Sequence, residues 1–169
     1  MKKSSNLLNQ MVLLVALCSL TFGFQSCNEN AQNKTETTAK TGFNLTTAKA
    51  EIEEANKNFM ALIAAGDSVG LANSYTVDAK FMSGGAPSVT GRSNIQTAMS
   101  NIIQSGITRI DLRLGNVYGS ENLIAEEGEL TLFVGDKAVA EEKYIVLWKK
   151  EDGRWKLFRD IFNSNLPTK

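Results

Sequence analysis

Histidine is missing altogether from the 169 residues. That removes both the usual acid/base residue for neutral pH and the commonest metal ligand. No Ser-His-Asp or Cys-His arrangement can be assembled in this chain. The two cysteines, Cys18 and Cys27, both precede residue 30, so the remainder has no disulfide, thiol nucleophile or thiolate metal site. No metal and no cofactor is therefore expected. An excess of basic charge is missing too: 18 Lys and Arg balance 18 Asp and Glu. Removing residues 1–26 takes away Lys2 and Lys3 but no acid. Nucleic-acid binding needs a basic patch that displaces counterions, so that partner class is excluded. Long apolar runs are also lacking. The stretch Met11–Leu20 is about half of the roughly 20 residues a spanning helix needs.

Lys2 and Lys3, the apolar stretch and a small residue before a cysteine form a secretory signal over residues 1–26. Phe24-Gln-Ser-Cys27 resembles the bacterial lipobox, with Ser26 at the cleavage position and Cys27 as the lipidated first residue. The resemblance implies acylation of Cys27, palmitate-type chains in a membrane, and a place in the cell envelope, on a periplasmic or outer-membrane face. Residues 27–44 are rich in Asn, Thr and Lys and poor in large apolar side chains, the composition of a flexible tether.

Residues 45–166 carry the periodicities of one folded domain. Thr46 or Thr47 can cap a helix in which Ile52, Ala55, Phe59, Leu62 and Ile63 recur at helical spacing, with Gly66 as its stop. Asp67 can cap a short second helix. A strand follows from Tyr75 to Met82, then a Gly84-Gly85-Ala-Pro87 turn and a third helix with Ile95, Ala98, Met99 and Ile102 on one face. The period then changes to two. Leu130 and Leu132 share a face with Glu126 and Gly128, and Glu151-Asp-Gly153 makes a tight hairpin turn. Helices first and a long antiparallel meander afterwards define an α+β fold.

Gly66-Asp67, Tyr75-Thr-Val-Asp78-Ala79 and Gly91-Arg92 resemble the opening signature of the SnoaL-like and nuclear-transport-factor-2-like superfamily. Trp148-Lys149-Lys150, Asp152-Gly153-Arg154-Trp155-Lys156 and Asp160 are similar to its ending. The resemblance implies three N-terminal helices packed in a strongly curved, mainly antiparallel sheet: a cone-shaped α+β barrel, or cystatin-like roll, with a pocket at its open end. That superfamily includes ketosteroid isomerases, and the resemblance sets their catalytic tyrosine on Phe59, their base on Ser83 and their protonated aspartate on Ile145. All three functional groups are absent here.

The same resemblance implies which side chains face the cone. Phe158, Asp160 and Phe162 would point inward, as would Ile145 and Leu147 on the neighbouring strand. Phe59, Ile63, Met82, Ser83, Glu126 and Leu130 complete the expected lining. Tyr144, Val146 and Trp148 would point outward and form a homodimer face. Tyr75 could hold Asp160, Asp78 could fix the turn into the first strand, and Ser83 and Tyr118 could be rim donors. Asp160 and Glu126 are the candidate catalytic or ligand-orienting acids. Three functions stay open: a membrane-tethered binding module for a small apolar molecule; an isomerase, cyclase or dehydratase using Asp160 as base; and an envelope protein-interaction module.

Overall fold

The computed structural model describes residues 42–166, which fall within one compact unit. The signal sequence and Cys27 lie outside the described residues. Helix α1 runs from Leu45 to Ala65 and starts slightly earlier than Thr46 or Thr47 would allow. The cap is Asn44, whose side chain accepts from the Thr47 backbone N–H at 3.0 Å. Ile52, Phe59 and Ile63 lie on its buried face, and Gly66 ends it at a φ of 67°. Asp67 accepts from Gly70 N–H at 2.8 Å and starts α2, Ser68–Asn73. Then come β1 (Tyr75–Ser83), β2 (Val89–Thr90) and α3 (Arg92–Gln104). Four long strands complete the chain: β3 (Arg109–Ser120), β4 (Leu123–Val134), β5 (Lys137–Glu151) and β6 (Arg154–Ser164). Among the described residues no helix is long and apolar enough to cross a membrane.

These strands form one six-stranded sheet in the order β2-β1-β6-β5-β4-β3. Every pairing is antiparallel except β1 with β6. That parallel pair joins the first long strand to the last, and so brings Tyr75 beside the segment that carries Asp160. Helix α1 packs across β3 and reaches β6, while α3 covers β1 and β2. The α+β class and the helices-within-sheet layout expected from the sequence are what the chain adopts. Arg92 braces the corner between them: its Nε and Nη2 donate to the Tyr75 carbonyl at 3.0 and 2.7 Å, and it pairs with Glu151.

One residue in β6 overturns the expected facing of β5. From the Asp152-Gly153 turn, β5 and β6 pair in regular register as far as Trp148 opposite Leu157. The next pair is Leu147 with Arg159, so Phe158 is an extra residue in the ladder. This is a β-bulge, and a shift of one residue reverses the side on which every partner lies. Without it Asp160 would face Ile145; with it Asp160 faces Val146. The inner face of β5 is therefore Glu142, Tyr144, Val146 and Trp148, and the last three are almost wholly buried. Ile145 stands on the outer face with half its surface exposed. The dimer face expected at Tyr144, Val146 and Trp148 is thus core, and Ile145 and Leu147 are not pocket residues. Tyr144 fits there because its inner neighbour across β4 is Gly128. A Cβ at Gly128 would come within 2.5 Å of the Tyr144 hydroxyl and of the Arg113 carbonyl oxygen.

Candidate functional site

The helices and the inner face of the sheet enclose a cavity of about 480 Å³. Its floor is aromatic. Tyr75 meets Phe59 and Phe81 edge-on, with ring centroids 6.2 and 6.4 Å apart, and Phe81 lies 5.0 Å from Phe162. Aliphatic side chains from α3 and β3 to β6 make the walls, among them Met99, Ile110, Leu130 and Val146. The mouth lies where the lining residues are exposed, at Ala86 and Pro87 after β1 and at Asn101 and Ser105 near the end of α3. No Lys or Arg is among the lining residues.

Asp160 stands on the wall near the floor, 8% exposed. Its Oδ2 accepts a 2.6 Å hydrogen bond from the Tyr75 hydroxyl. Among the described residues no other side chain donates to it. Burial pushes the Asp160 carboxyl up to about 6; the Tyr75 hydrogen bond opposes this shift and the charge of Glu126 adds to it. An acid in that range exchanges its proton near neutral pH, which an ordinary surface aspartate does not.

Glu126 is wholly buried but does not line the cavity. Three donors hold it from behind the wall. Asn56 Nδ2 and the Tyr144 hydroxyl reach Oε1 at 2.7 and 2.6 Å, and Trp148 Nε1 reaches Oε2 at 2.7 Å. Desolvation raises its carboxyl, and the hydrogen bonds from Tyr144, Asn56 and Trp148 pull the other way. The group is a structural clasp that ties α1 to β4 and β5. Burial, then the charge of Glu126 and the hydrogen bond to it, drive the Tyr144 hydroxyl upward, leaving it protonated and donating.

The structure gathers Phe59, Ile63, Ser83, Leu130, Asp160 and Phe162 around the cavity. Four expected lining residues lie elsewhere besides Glu126. Met82 alternates outward from Phe81 and Ser83, and Ile145 and Leu147 follow the reversed facing of β5. Phe158, the bulge residue, packs under the cations of Lys149 and Arg159. Tyr118 is 55% exposed and donates to Glu127, away from any rim. Asp78 is exposed and accepts from Thr76 Oγ1 at 2.9 Å within β1. On β5 the cavity is lined instead by Glu142, Tyr144 and Val146, none of which was expected to face it. The even-numbered alternation Glu142, Tyr144, Val146, Trp148 was the available signal, but its facing could be assigned only with the bulge in hand. Among the described residues no cluster of acids could hold a metal ion.

No protein-family model matches this sequence, and no curated protein matches it either. Solved structures do resemble it. A domain of unknown function with a cystatin-like fold from Nostoc punctiforme superposes with a TM-score of 0.64 at 13% identity, over 72% of this chain and 80% of that one. An NTF2-like protein with a cystatin-like fold from Novosphingobium aromaticivorans gives 0.62 at 16% identity, over 73% and 86%. A ketosteroid isomerase-like protein from Erwinia carotovora atroseptica gives 0.58 at 18% identity, over 70% and 96%. The domain has the NTF2-like, cystatin-like cone fold, in agreement with the resemblance carried by Gly66-Asp67, Asp78 and the Asp152-Gly153 turn.

Proposed function

We propose that this domain is a binding module for a small, largely apolar molecule, held at a membrane through acyl chains on Cys27. The cavity carries the reading: about 480 Å³, walled mainly by aliphatic and aromatic side chains, with few polar groups. Those are the proportions of sites that take small organic ligands. Asp160 and its Tyr75 partner would orient a polar group of the ligand. The isomerase positions support binding over chemistry, since Phe59 and Ser83 carry no equivalent acid or phenol and the inward residue opposite Asp160 is Val146. A neutral fluorophore such as Nile red should bind with one-to-one stoichiometry. Leu132→Trp, which fills the cavity from β4, should weaken that binding at least about tenfold while the thermal transition stays cooperative. Equal binding by the filled variant would rule the cavity out.

Tethering rests on the lipobox resemblance at Cys27. Cys27→Ala should move the protein from the membrane fraction to the soluble fraction; continued sedimentation with membranes would count against an acyl anchor. The homodimer proposal moves to the outer face of the sheet. There Ile145 and Ile161 are paired in register, each about half exposed, on a surface where a monomer would leave them in water. Sedimentation of the Cys27→Ala chain at tens of micromolar should give a dimer, and Ile145→Lys should give a monomer.

A second reading has one observation in its favour. A carboxyl at about 6 on an apolar wall suits a general base that shifts a proton beside a carbonyl. Turnover of any candidate substrate that survives Asp160→Asn unaltered would dismiss it.

A further inference from the structure

Glu142 is the one acid on the cavity wall with a buried oxygen that nothing satisfies. It lies on the inner face of β5, between Leu130 of β4 and Ser164 of β6 in the ladder. Its Oε2 is shielded from solvent and has no hydrogen-bond partner among the described residues. Buried polar atoms are nearly always paired, and a lone one on a cavity wall is available to a donor that enters the cavity, whether water or a ligand group. The adjacent cation does not serve it: Lys143 points to the other face, where its Nζ reaches the Ser164 carbonyl and the Asn165 side chain at 3.4 Å.

The rest of the lining has the same sign. The wall carries Glu142 and Asp160, Glu126 stands behind Tyr144, and no lysine or arginine offsets them. An anionic head group would enter against these acids with no counter-charge. A protonated amine would supply both the missing donor and the missing charge, and charge-assisted bonds of that kind are the stronger ones. The spacing also sets a length. Glu142 and Val146, the residue facing Asp160, are four residues apart on β5, which is about 13 Å at about 3.3 Å per residue.

We propose that the cavity selects an elongated apolar molecule bearing an amine, with the amine on Glu142 and the apolar body running along the wall, so that any second polar group at its far end meets the Tyr75–Asp160 pair. This rests on the binding function proposed above and adds the class of ligand and the residue that recognises it. Burial alone raises the Glu142 carboxyl, as expected for an acid awaiting a partner.

Decylamine, 1-decanol and decanoate share one chain and differ in the head group. Calorimetric titration of the full chain carrying Cys27→Ala should rank them amine, alcohol, carboxylate. The amine should exceed the carboxylate by at least about tenfold, the lower range for a hydrogen bond to a charged group. Glu142→Gln should remove most of the amine's advantage over decanol and leave decanol binding within about twofold. Decanoate binding as tightly as decylamine would overturn the proposal, and so would an amine-to-alcohol ratio unchanged in Glu142→Gln. If decanol binds but shows no such ranking, only this inference fails. If none of the three binds, the apolar-cavity function fails and carries this inference with it.

Discussion

Glu126→Ala is expected to lower the stability of the domain by about 3–5 kcal/mol, because three buried neutral donors lose their shared acceptor. Asn56, Tyr144 and Trp148 all spend a hydrogen on this one carboxylate. With it gone, three donors from α1 and β5 lie in the core with nothing to accept them, and each such orphan costs about 1–3 kcal/mol when it cannot reach water. The neighbours cannot relax freely, because Tyr144 lies over Gly128 and Trp148 is 1% exposed. Glu126→Gln should cost less, about 1–3 kcal/mol, since the amide oxygen can keep one or two donors while the amide nitrogen confronts another donor. Urea unfolding of the three proteins, followed by Trp fluorescence and by circular dichroism, gives the comparison. An alanine variant within about 1 kcal/mol of the parent would mean that the clasp contributes little.

Asp160→Asn is expected to stabilise the domain at neutral pH and to do so in a pH-dependent way. In the unfolded chain this carboxyl titrates near its ordinary 3.8; in the fold burial pushes it up to about 6. Between those values the native state holds the proton more tightly than the unfolded chain, so this group's contribution falls as pH rises from about 4 to about 6 and is level above. A shift of that size corresponds to about 3 kcal/mol in total. Asparagine cannot titrate, yet its Oδ1 can still accept from the Tyr75 hydroxyl. The stability difference, variant minus parent, should therefore grow by about 2–2.5 kcal/mol between pH 4 and pH 7 and change little beyond. A difference that stays constant across that range would show that Asp160 ionises like a surface acid. Bound ligand would change the profile, so the measurement belongs on protein stripped of it.

The helical segments were legible because their signals are local. Gly66 must adopt a positive φ, Asp67 caps the turn that follows it, and Ile52, Phe59 and Ile63 recur at helical spacing. The β4 face carrying Glu126, Leu130 and Leu132 was legible for the same reason, since alternation within one strand needs no partner. The facing of β5 was not. It depends on how β5 pairs with β6, and one bulge residue, Phe158, carries no sequence mark that separates it from a regular strand residue. Asp160 and Phe162 keep the inward positions that the resemblance implied, while Phe158, the bulge residue, does not. On β5 the implied facing is reversed as a whole: Ile145 and Leu147 lie outside, and Tyr144, Val146 and Trp148 lie inside.

Composition and order alone settled that histidine chemistry is closed to this chain and thiol chemistry to its folded domain, and that helices precede a meander of strands, because those properties reside in residue identity and local period. Only the folded chain decided which acids matter and how. Glu126 became a clasp, Asp160 a wall acid whose carboxyl burial raises and Glu142 an unsatisfied one, since each outcome depends on partners 18 or more residues away or, for Glu142, on the lack of any among the described residues. The physical reason is that burial and pairing set the state of a carboxylate, and both are created by tertiary contact.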